Sequence, residues 1–331
     1  MDQNFILPHR PSVIKALANG FKTMAAHAYL IVIPIIFDLL LLLSPHLTIE
    51  KFLTPALKLI RVPNGSSPEI TETIQASLKT LLEVAKDYSV TTWLRTLPFG
   101  LPSLMASRVG AQTPLGPASV ITMNSLLLVI ALFMVFTVVG ILLAALYYNW
   151  NANMVFPKDE TVHSGFIKKT GNLLLIPLIC LVSVLILAVP LTIVLGLSSI
   201  ISPFLGSVLY FIALIALINL LFPLLFTPHA IIVGNKNLIE AAKESVFIFK
   251  KSGVFASFFV VALLFATYFS ERLWQTPPSN SWMVLIGIFG HAVISTALVL
   301  ASFHFFKDAK GFAFEMAKLL NTIGESDTIN H

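Results

Sequence analysis

Charge is what this sequence has least of. Only 11% of its 331 residues are charged, whereas soluble domains carry about 25%. Hydrophobic residues make up 56% of the chain, and the mean hydropathy is +0.88. Because so few charges cannot cover a water-facing surface, the composition indicates an integral membrane protein.

Cysteine and recognisable catalytic motifs are also scarce. Cys180 is the single cysteine, which excludes an intramolecular disulfide and a cysteine metal site. The histidines lie tens of residues apart, without metal-ligand spacing. No phosphate-binding glycine loop, HExxH motif or serine-nucleophile motif occurs, and connecting segments of about 20 residues are too short for a folded catalytic domain. We therefore expect no enzyme activity, no cofactor and no metal.

Long apolar stretches are the main positive feature. A transmembrane helix needs roughly 20 apolar residues, and Pro223 and Pro228 are expected to kink or stop the fourth stretch. The predicted fold class is all-α, a polytopic membrane helix bundle with six transmembrane helices. These spans are predicted at residues 25–44, 119–148, 172–198, 204–232, 253–270 and 282–306.

The distribution of positive charge predicts the orientation. With the N-terminus inside, the predicted cytosolic segments are 1–24, 149–171, 233–252 and 307–331, and together they hold 13 of the 21 Lys and Arg residues. Most of the others lie in one long outer segment, where positive charge says little about topology. We therefore predict a protein of the cell membrane with both termini cytosolic. The net charge of +5 is attributed to orientation and to contact with anionic lipid headgroups, and no nucleic-acid partner is expected.

This orientation divides the chain into four parts. Residues 1–24 are expected to form a cytosolic amphipathic helix, 25–306 the six-span membrane domain and 307–331 a cytosolic tail. Residues 45–118 form an outer helical insertion between the first two spans.

A short motif recurs before three of the apolar stretches. Residues 166–171 read FIKKTG, residues 248–253 read IFKKSG, and residues 20–23 read GFKT. We interpret the chain as three copies of one unit: an amphipathic cytosolic helix, a basic elbow, and two spans. The backbone freedom of each elbow is expected at Thr170–Gly171 and Ser252–Gly253. An alternative is that these are ordinary positive-inside loops with chance amphipathicity.

The elbows supply the predicted contact sites. A helix with an apolar face and a lysine edge lies in the headgroup layer, and lysines at its end can extend towards phosphates. We expect contact with lipid headgroups or with a partner from Lys22, Lys168, Lys169, Lys250 and Lys251.

The outer segment 45–118 has its own pattern. Residues 67–88 predict a helix, with Ser67 as cap, Pro68 at the first position and an apolar stripe along one side. Residues 47–60 predict a less regular amphipathic helix, and 97–106 are apolar but too short to span. These pieces either pack together as a cap, lie on the outer leaflet or form a ligand-binding lid.

Asp38 is the one carboxylate well inside a predicted span. An isolated carboxylate in hydrocarbon is unfavourable, so it is expected to face the bundle interior, reach the interface or take a proton. His291 and Asn219 are its candidate partners. A hydrogen-bonded structural role and a proton or ion pathway are both open.

Residues 223–259 resemble a loose group of bacterial six-span membrane proteins, which includes the membrane domain attached to some glycerophosphodiester phosphodiesterases. In that group a helix of the form xEAxxxSxxxxK leads into a span, and here Glu240, Ala241, Ser245 and Lys250 occupy those places. The resemblance covers about 160–306 and implies a multipass module. No phosphodiesterase domain is present, so that activity is not implied.

Two functions are compatible with these features. The first is a non-enzymatic multipass protein that organises or senses the membrane, or holds a partner protein, through cytosolic amphipathic helices. The alternative is a transport component, namely the permease subunit of an ATP-driven exporter whose ATPase is a separate chain.

Overall fold

The computed structural model describes residues 8–59, 68–96, 99–108, 112–157, 162 and 165–329. Within these ranges the chain is predominantly helical, which confirms the predicted all-α class at this level. The long helices are α5 (Leu126–Val155), α6 (Phe166–Ile201), α7 (Pro203–Leu221), α9 (Leu238–Trp274) and α10 (Val284–Ile329). The shorter ones are α1 (Val13–Ala26), α2 (Val32–Leu43), α3 (Glu50–Lys58), α4 (Pro68–Asp87) and α8 (Thr227–Gly234).

Among the described residues, five helical segments are long and apolar enough to cross a membrane, namely Leu126–Val155, Phe166–Val184, Pro203–Gly234, Leu238–Trp274 and Val284–Thr322. A sixth is obtained if Val13–Ala26 and Ala28–Leu43, which meet at a 94° bend, count as one broken span. This number of apolar helices indicates a multipass membrane protein.

The two prolines near the end of the fourth predicted span interrupt it as expected. α7 ends at Leu221, Pro223 lies in a short 3₁₀ turn, and Pro228 occupies the first turn of α8. Proline has no N–H to donate and its ring clashes with the preceding helical turn, so a helix readily stops or restarts at such a residue.

In the described part of the chain between α2 and α5 lie four short strands, which the sequence patterns did not predict. β1 (His46–Thr48) pairs in parallel with β4 (Val120–Thr122), and β2 (Gln112–Thr113) pairs antiparallel with β3 (Gly116–Pro117). The β1–β4 pair joins the start of the segment predicted as an outer insertion to Val120–Thr122, which were predicted to belong to the second span, so that the long helix α5 begins later than predicted, at Leu126. α3 and α4 fall in the two regions of this segment that were predicted to be helical.

The chain divides into two compact units. The first comprises Met1–Leu30, Ala145–Thr267 and Thr296–His331, and the second comprises Ile31–Ala144 and Tyr268–Ser295. The first has an aromatic core in which the rings of Phe259 and Phe305 stack 4.2 Å apart. The second contains an apolar cluster made of Leu42, Leu104, Met105, Val284 and Ile288, with Ile35, Leu39, Leu41 and Trp274 packed against it.

Candidate functional site

Helix α1 is capped at both ends and lies close to α10 in the first unit. The Ser12 hydroxyl accepts a hydrogen bond from the Lys15 N–H at the N-terminus. Ala16 and Gly20 are buried, and a Cβ at Gly20 would collide with the backbone of Ala297 and Ala301. A small residue is therefore required where the two helices approach most closely.

Two large apolar side chains of α1 are exposed, unlike those of an amphipathic helix in a soluble protein, which face the core. Ile14 is 80% exposed and Phe21 is 39% exposed, while the buried positions hold small residues. Lys15 and Lys22 lie beside them and are exposed. α1 thus presents apolar side chains and positive charge together on its free surface.

The two lysines at the start of α6 have different surroundings. Lys168 is exposed, and its ammonium donates to the backbone carbonyl of Asn235 at 3.0 Å. Lys169 is only 1% exposed, and its ammonium donates to the carbonyl of Val162 at 2.7 Å. The predicted headgroup contact is therefore wrong for Lys169, because its long side chain turns back towards the N-terminal end of the helix and is enclosed there.

At the second lysine pair, Lys250 is exposed and Lys251 is half-buried. The predicted elbow beyond each pair is absent, because α6 and α9 continue without a break through Thr170–Gly171 and Ser252–Gly253. The hydroxyl in each dipeptide donates back to the carbonyl four residues earlier, as it does inside a helix. In an apolar run the helix is favoured because it satisfies every backbone group internally.

The residues that carry the family resemblance have structural roles here. Glu240 and Asn237 form a capping box, in which the Asn237 side chain accepts from the Glu240 N–H at 2.9 Å and the Glu240 carboxylate accepts from the Asn237 N–H at 3.3 Å. Ala241 is fully buried. The Ser245 hydroxyl donates to the Pro223 carbonyl and accepts from the Phe226 N–H, so it satisfies the backbone at the break between α7 and α8.

Glu244 was not singled out by the sequence, yet it is one of the few buried carboxylates. Its side chain forms ion pairs of 2.9 Å with both Lys236 and Lys310. The lysine side chains are 36% and 32% exposed, and the Glu244 side chain is 4% exposed. This cluster, which we call the Glu244 ion-pair cluster, connects the start of α9 to the C-terminal half of α10 within the first unit. Its only sequence signal is the spacing of Glu244 with the buried residues Ala241 and Ile248.

Asp38, in the second unit, is fully buried in α2. Its carboxylate accepts hydrogen bonds from the Ser103 hydroxyl, from the Leu104 N–H at 3.1 Å and from the Met105 N–H at 3.0 Å. These groups belong to the turn that opens the short 3₁₀ helix Met105–Ser107. Asp38 therefore caps this turn, just as a side chain caps the N-terminus of a helix.

His291 lies beside Asp38, as the sequence proposed. Its Nδ1 atom is 4.0 Å from Oδ2 of Asp38, and its side chain is 3% exposed. Gly287, one helical turn earlier, lets α10 approach the backbone of Trp274, because a Cβ there would collide with the Trp274 carbonyl. Residues four apart share one side of a helix, so this close approach turns His291 inward as well. Asn219, the other candidate, is exposed and donates to Ile215 of its own helix.

Two arginines of the second unit act on Asp38 from a distance. The guanidinium of Arg95 pairs with Glu271 at 3.2 Å. That of Arg108 donates to the Ser279 hydroxyl and to backbone carbonyls, the shortest bond being 2.7 Å to Pro277. Burial lowers the pKa of Arg108, and the charge of Asp38 partly opposes that shift. Neither arginine forms a direct ion pair with Asp38 among the described contacts.

The described ranges contain no group of three or more His, Cys, Asp or Glu side chains that could hold a metal ion. Comparison with protein-family models, curated proteins and solved structures finds no match to this chain. Two features of the described residues bear on function: the exposed faces of the helices that carry the lysines, and the buried pair Asp38 and His291.

Proposed function

We propose that this chain is a non-enzymatic multipass protein of the cell membrane that binds the anionic inner surface of the bilayer through its lysine-bearing helices, and so organises that surface or holds a partner there. The observation that carries the proposal is the exposed face of α1, where Ile14 and Phe21 are exposed beside Lys15 and Lys22. Such a face is suited to the boundary between headgroups and acyl chains.

The packing of α1 supports this placement. In a helix of a soluble protein the large apolar residues face the core, but here Ala16 and Gly20 are buried on the side that faces α10, and Ile14 and Phe21 remain outside. Leaving Ile14 in water would expose most of an apolar side chain that favours a nonpolar environment by about 1.5–3 kcal/mol. Insertion into lipid removes that unfavourable exposure.

The starts of α6 and α9 have the same combination of residue types. Ile167 is 87% exposed next to Lys168, and Ile239 is 69% exposed four residues before Lys243. Each lysine near an anionic leaflet contributes about 1 kcal/mol. Lys22, Lys168 and Lys250 together therefore provide a substantial and salt-sensitive attraction, and Lys169 does not take part because it is enclosed.

The resemblance to the bacterial six-span proteins fits the same proposal. Glu240, Ala241 and Ser245 cap, pack and satisfy backbone groups, and none of them is presented as a nucleophile or as a general acid or base. A motif of this kind specifies how a helix joins a span, which is what a membrane module without catalytic activity needs.

Hydrogen exchange of the full-length protein in lipid nanodiscs tests the proposal. We expect the amides of α1 to exchange more slowly in discs with anionic lipid than in neutral discs, since the headgroups attract the lysines. Changing Lys22, Lys168 and Lys250 to Gln should abolish that difference. The matched control changes Lys79 and Lys86 of α4, which are also exposed, and should leave it intact. Equal protection of α1 in neutral and anionic discs would contradict the proposal.

The proposed orientation has its own test. In a Cys180→Ser background, a single cysteine introduced at Asn237 should react with a membrane-impermeant thiol reagent only after the cells are opened, because residues 233–252 are proposed to be cytosolic. Labelling of intact cells at this position would refute the orientation and with it the contact with the inner leaflet.

A second candidate is the permease subunit of an ATP-driven exporter. The observation that favours it is the separate helix α1, which precedes the first apolar helix across a 94° bend, since such subunits also begin with a short helix before the first span. This role requires an ATPase as a separate chain. Purification in mild detergent followed by mass spectrometry should then recover an ATPase in fixed proportion, and its absence would leave the lipid-binding module as the function.

A further inference from the structure

We propose that Asp38 and His291 form a proton-binding site within the second unit, in which one proton is shared between the carboxylate and the imidazole. The two side chains come from α2 and α10, are 0% and 3% exposed, and lie 4.0 Å apart from Oδ2 to Nδ1. The apolar cluster that contains Leu42, Leu104 and Ile288 lies in the same unit. Two ionisable groups buried together in this way are strongly coupled.

The hydrogen-bonding capacity of Asp38 identifies where the proton binds. A carboxylate offers about four lone-pair positions. Oδ1 accepts from the Ser103 hydroxyl and the Met105 N–H, whereas Oδ2 accepts only from the Leu104 N–H. Oδ2 of Asp38 can therefore take part in a further hydrogen bond, and it is the oxygen that lies 4.0 Å from Nδ1 of His291.

His291 has a matching unfilled position. Among the described residues, Nδ1 of His291 is buried without a hydrogen-bond partner. An unpaired buried polar atom is unfavourable by about 1–3 kcal/mol. A proton on Oδ2 or on Nδ1 lets the two atoms form one hydrogen bond after a small approach, so that both positions are filled together.

The donors around Asp38 favour a proton over a metal cation. The Ser103 hydroxyl and two backbone N–H groups direct their positive ends at the carboxylate, and a cation would have to displace them. Hard cations also require several oxygen ligands. The described residues bring no third acidic or histidine side chain to this place.

Arg95 and Arg108 are the cations whose charge reaches the pair, Arg95 acting on both members and Arg108 on Asp38. A positive charge disfavours a bound proton on a carboxyl and on an imidazole alike, and Arg95 is itself paired with Glu271 at 3.2 Å. Among the described residues no other charged side chain contacts the pair. A proton bound here is therefore retained by the burial of the two groups and by their shared hydrogen bond, against these positive charges.

Proton transfer within the pair leaves its total charge unchanged. The Oδ2–H bond of Asp38 breaks as the Nδ1–H bond of His291 forms, and a neutral pair becomes an ion pair. A protonated Oδ2 is a weaker acceptor for the Leu104 N–H than an ionised one. The position of the proton is therefore coupled to the turn at residues 103–107, which Asp38 caps.

Infrared spectroscopy of the full-length protein in liposomes tests this site. Spectra recorded between about pH 3 and pH 9, which bracket the ordinary pKa values of Asp and His, should contain a carboxylic-acid band that disappears as the pH rises. Labelling aspartate with ¹³C assigns the band to an aspartate, and its loss in Asp38→Asn assigns it to Asp38. In His291→Gln the band should persist to a pH about one unit higher or more, because no imidazolium then stabilises the carboxylate.

His291→Gln keeps Asp38 and its three donors, so the experiment does not depend on Asp38→Asn folding. The matched control is His304→Gln on the same helix, where the imidazole bonds Thr23 instead, and the band should titrate as in the wild type. A band that titrates identically in His291→Gln, or no aspartic-acid band at any pH in this range, overturns the shared-proton site.

Discussion

Asp38 and Glu244 are both buried carboxylates, and the protein stabilises them in different ways. Asp38 accepts three hydrogen bonds from uncharged donors of one turn. Glu244 is held by two lysines whose side chains are about one-third exposed. Backbone N–H groups and a hydroxyl stabilise the Asp38 carboxylate in apolar surroundings. Two lysine ammonium groups that reach solvent stabilise the Glu244 carboxylate.

This difference follows from where each residue lies along its helix. Asp38 is in an apolar helix, where lysine ammonium groups would be as unfavourable as the carboxylate itself, so uncharged donors take their place. Glu244 is in the polar first half of α9, where lysines can keep their charged ends in water while their stems cover the acid. Asp38 and Glu244 are therefore expected to respond differently to mutation and to salt.

The largest effect is expected for Asp38→Ala. The change leaves two backbone N–H groups and the Ser103 hydroxyl buried without an acceptor, which should lower the free energy of unfolding by about 3 kcal/mol or more. Thermal and denaturant unfolding in detergent micelles measures this loss of stability. Asn219→Ala is the matched control, because its amide bonds only its own helix, and it should change stability by less than about 0.5 kcal/mol. A stable Asp38→Ala protein would mean that the turn holds its place without the cap.

Glu244→Gln should have the next largest effect. Lys236 and Lys310 lose their ion-pair partner, but water screens these partly exposed charges. The free energy of unfolding should therefore fall by about 1–2 kcal/mol. The difference between wild type and variant should shrink in high salt, because exposed charges are screened, whereas the effect of Asp38→Ala should not. If both differences respond equally to salt, the contrast between the two carboxylates is wrong.

Ser103→Ala should have a smaller effect than Asp38→Ala. It removes one of the three donors to Asp38 but leaves the two backbone N–H groups in place, so about 1 kcal/mol is expected. The same unfolding measurement applies, and Ser107→Ala in the same turn is the control, since its hydroxyl contacts Leu104 and Gln275 rather than Asp38. Equal losses for Ser103→Ala and Asp38→Ala would assign the whole capping role to the hydroxyl.

The smallest effect is expected at Glu240, one turn before Glu244. Glu240 is exposed and takes part only in the capping box with Asn237, so Glu240→Ala should lower stability by about 0.5 kcal/mol or less. Circular dichroism and thermal unfolding measure the change. A loss as large as that of Glu244→Gln would show that the exposed acid of this helix, and not the buried one, connects it to the rest of the unit.

Much of the fold follows from sequence because apolar length and proline have local effects. Apart from the first, the predicted apolar stretches lie largely in long helices, and Pro223 and Pro228 interrupt the fourth of them as expected. The prediction of elbows at Thr170–Gly171 and Ser252–Gly253 was wrong. A glycine permits a bend in the backbone, but it does not impose one where the helix already satisfies all backbone groups. The strand pair β1–β4 joins residues more than seventy positions apart, and no local pattern carries that information.

The candidate site residues also differ in whether local sequence could predict them. Asp38 was identified because a carboxylate inside an apolar run is conspicuous, and His291 was named as a partner because few other polar residues occur in the spans. Glu244 was missed because it lies in a segment already rich in charge, where its burial depends on Lys310 from another helix. Lys169 was predicted to be accessible, because the sequence does not show which lysine of a pair the fold encloses.

The contact of Gly20 with Ala297 and Ala301 has a consequence for biogenesis. The ribosome makes α1 long before it makes the facing stretch of α10. The surface against which Gly20 packs does not exist while the helices between them are being synthesised. The docking of α1 is therefore a late step, which follows the synthesis of every span between it and α10.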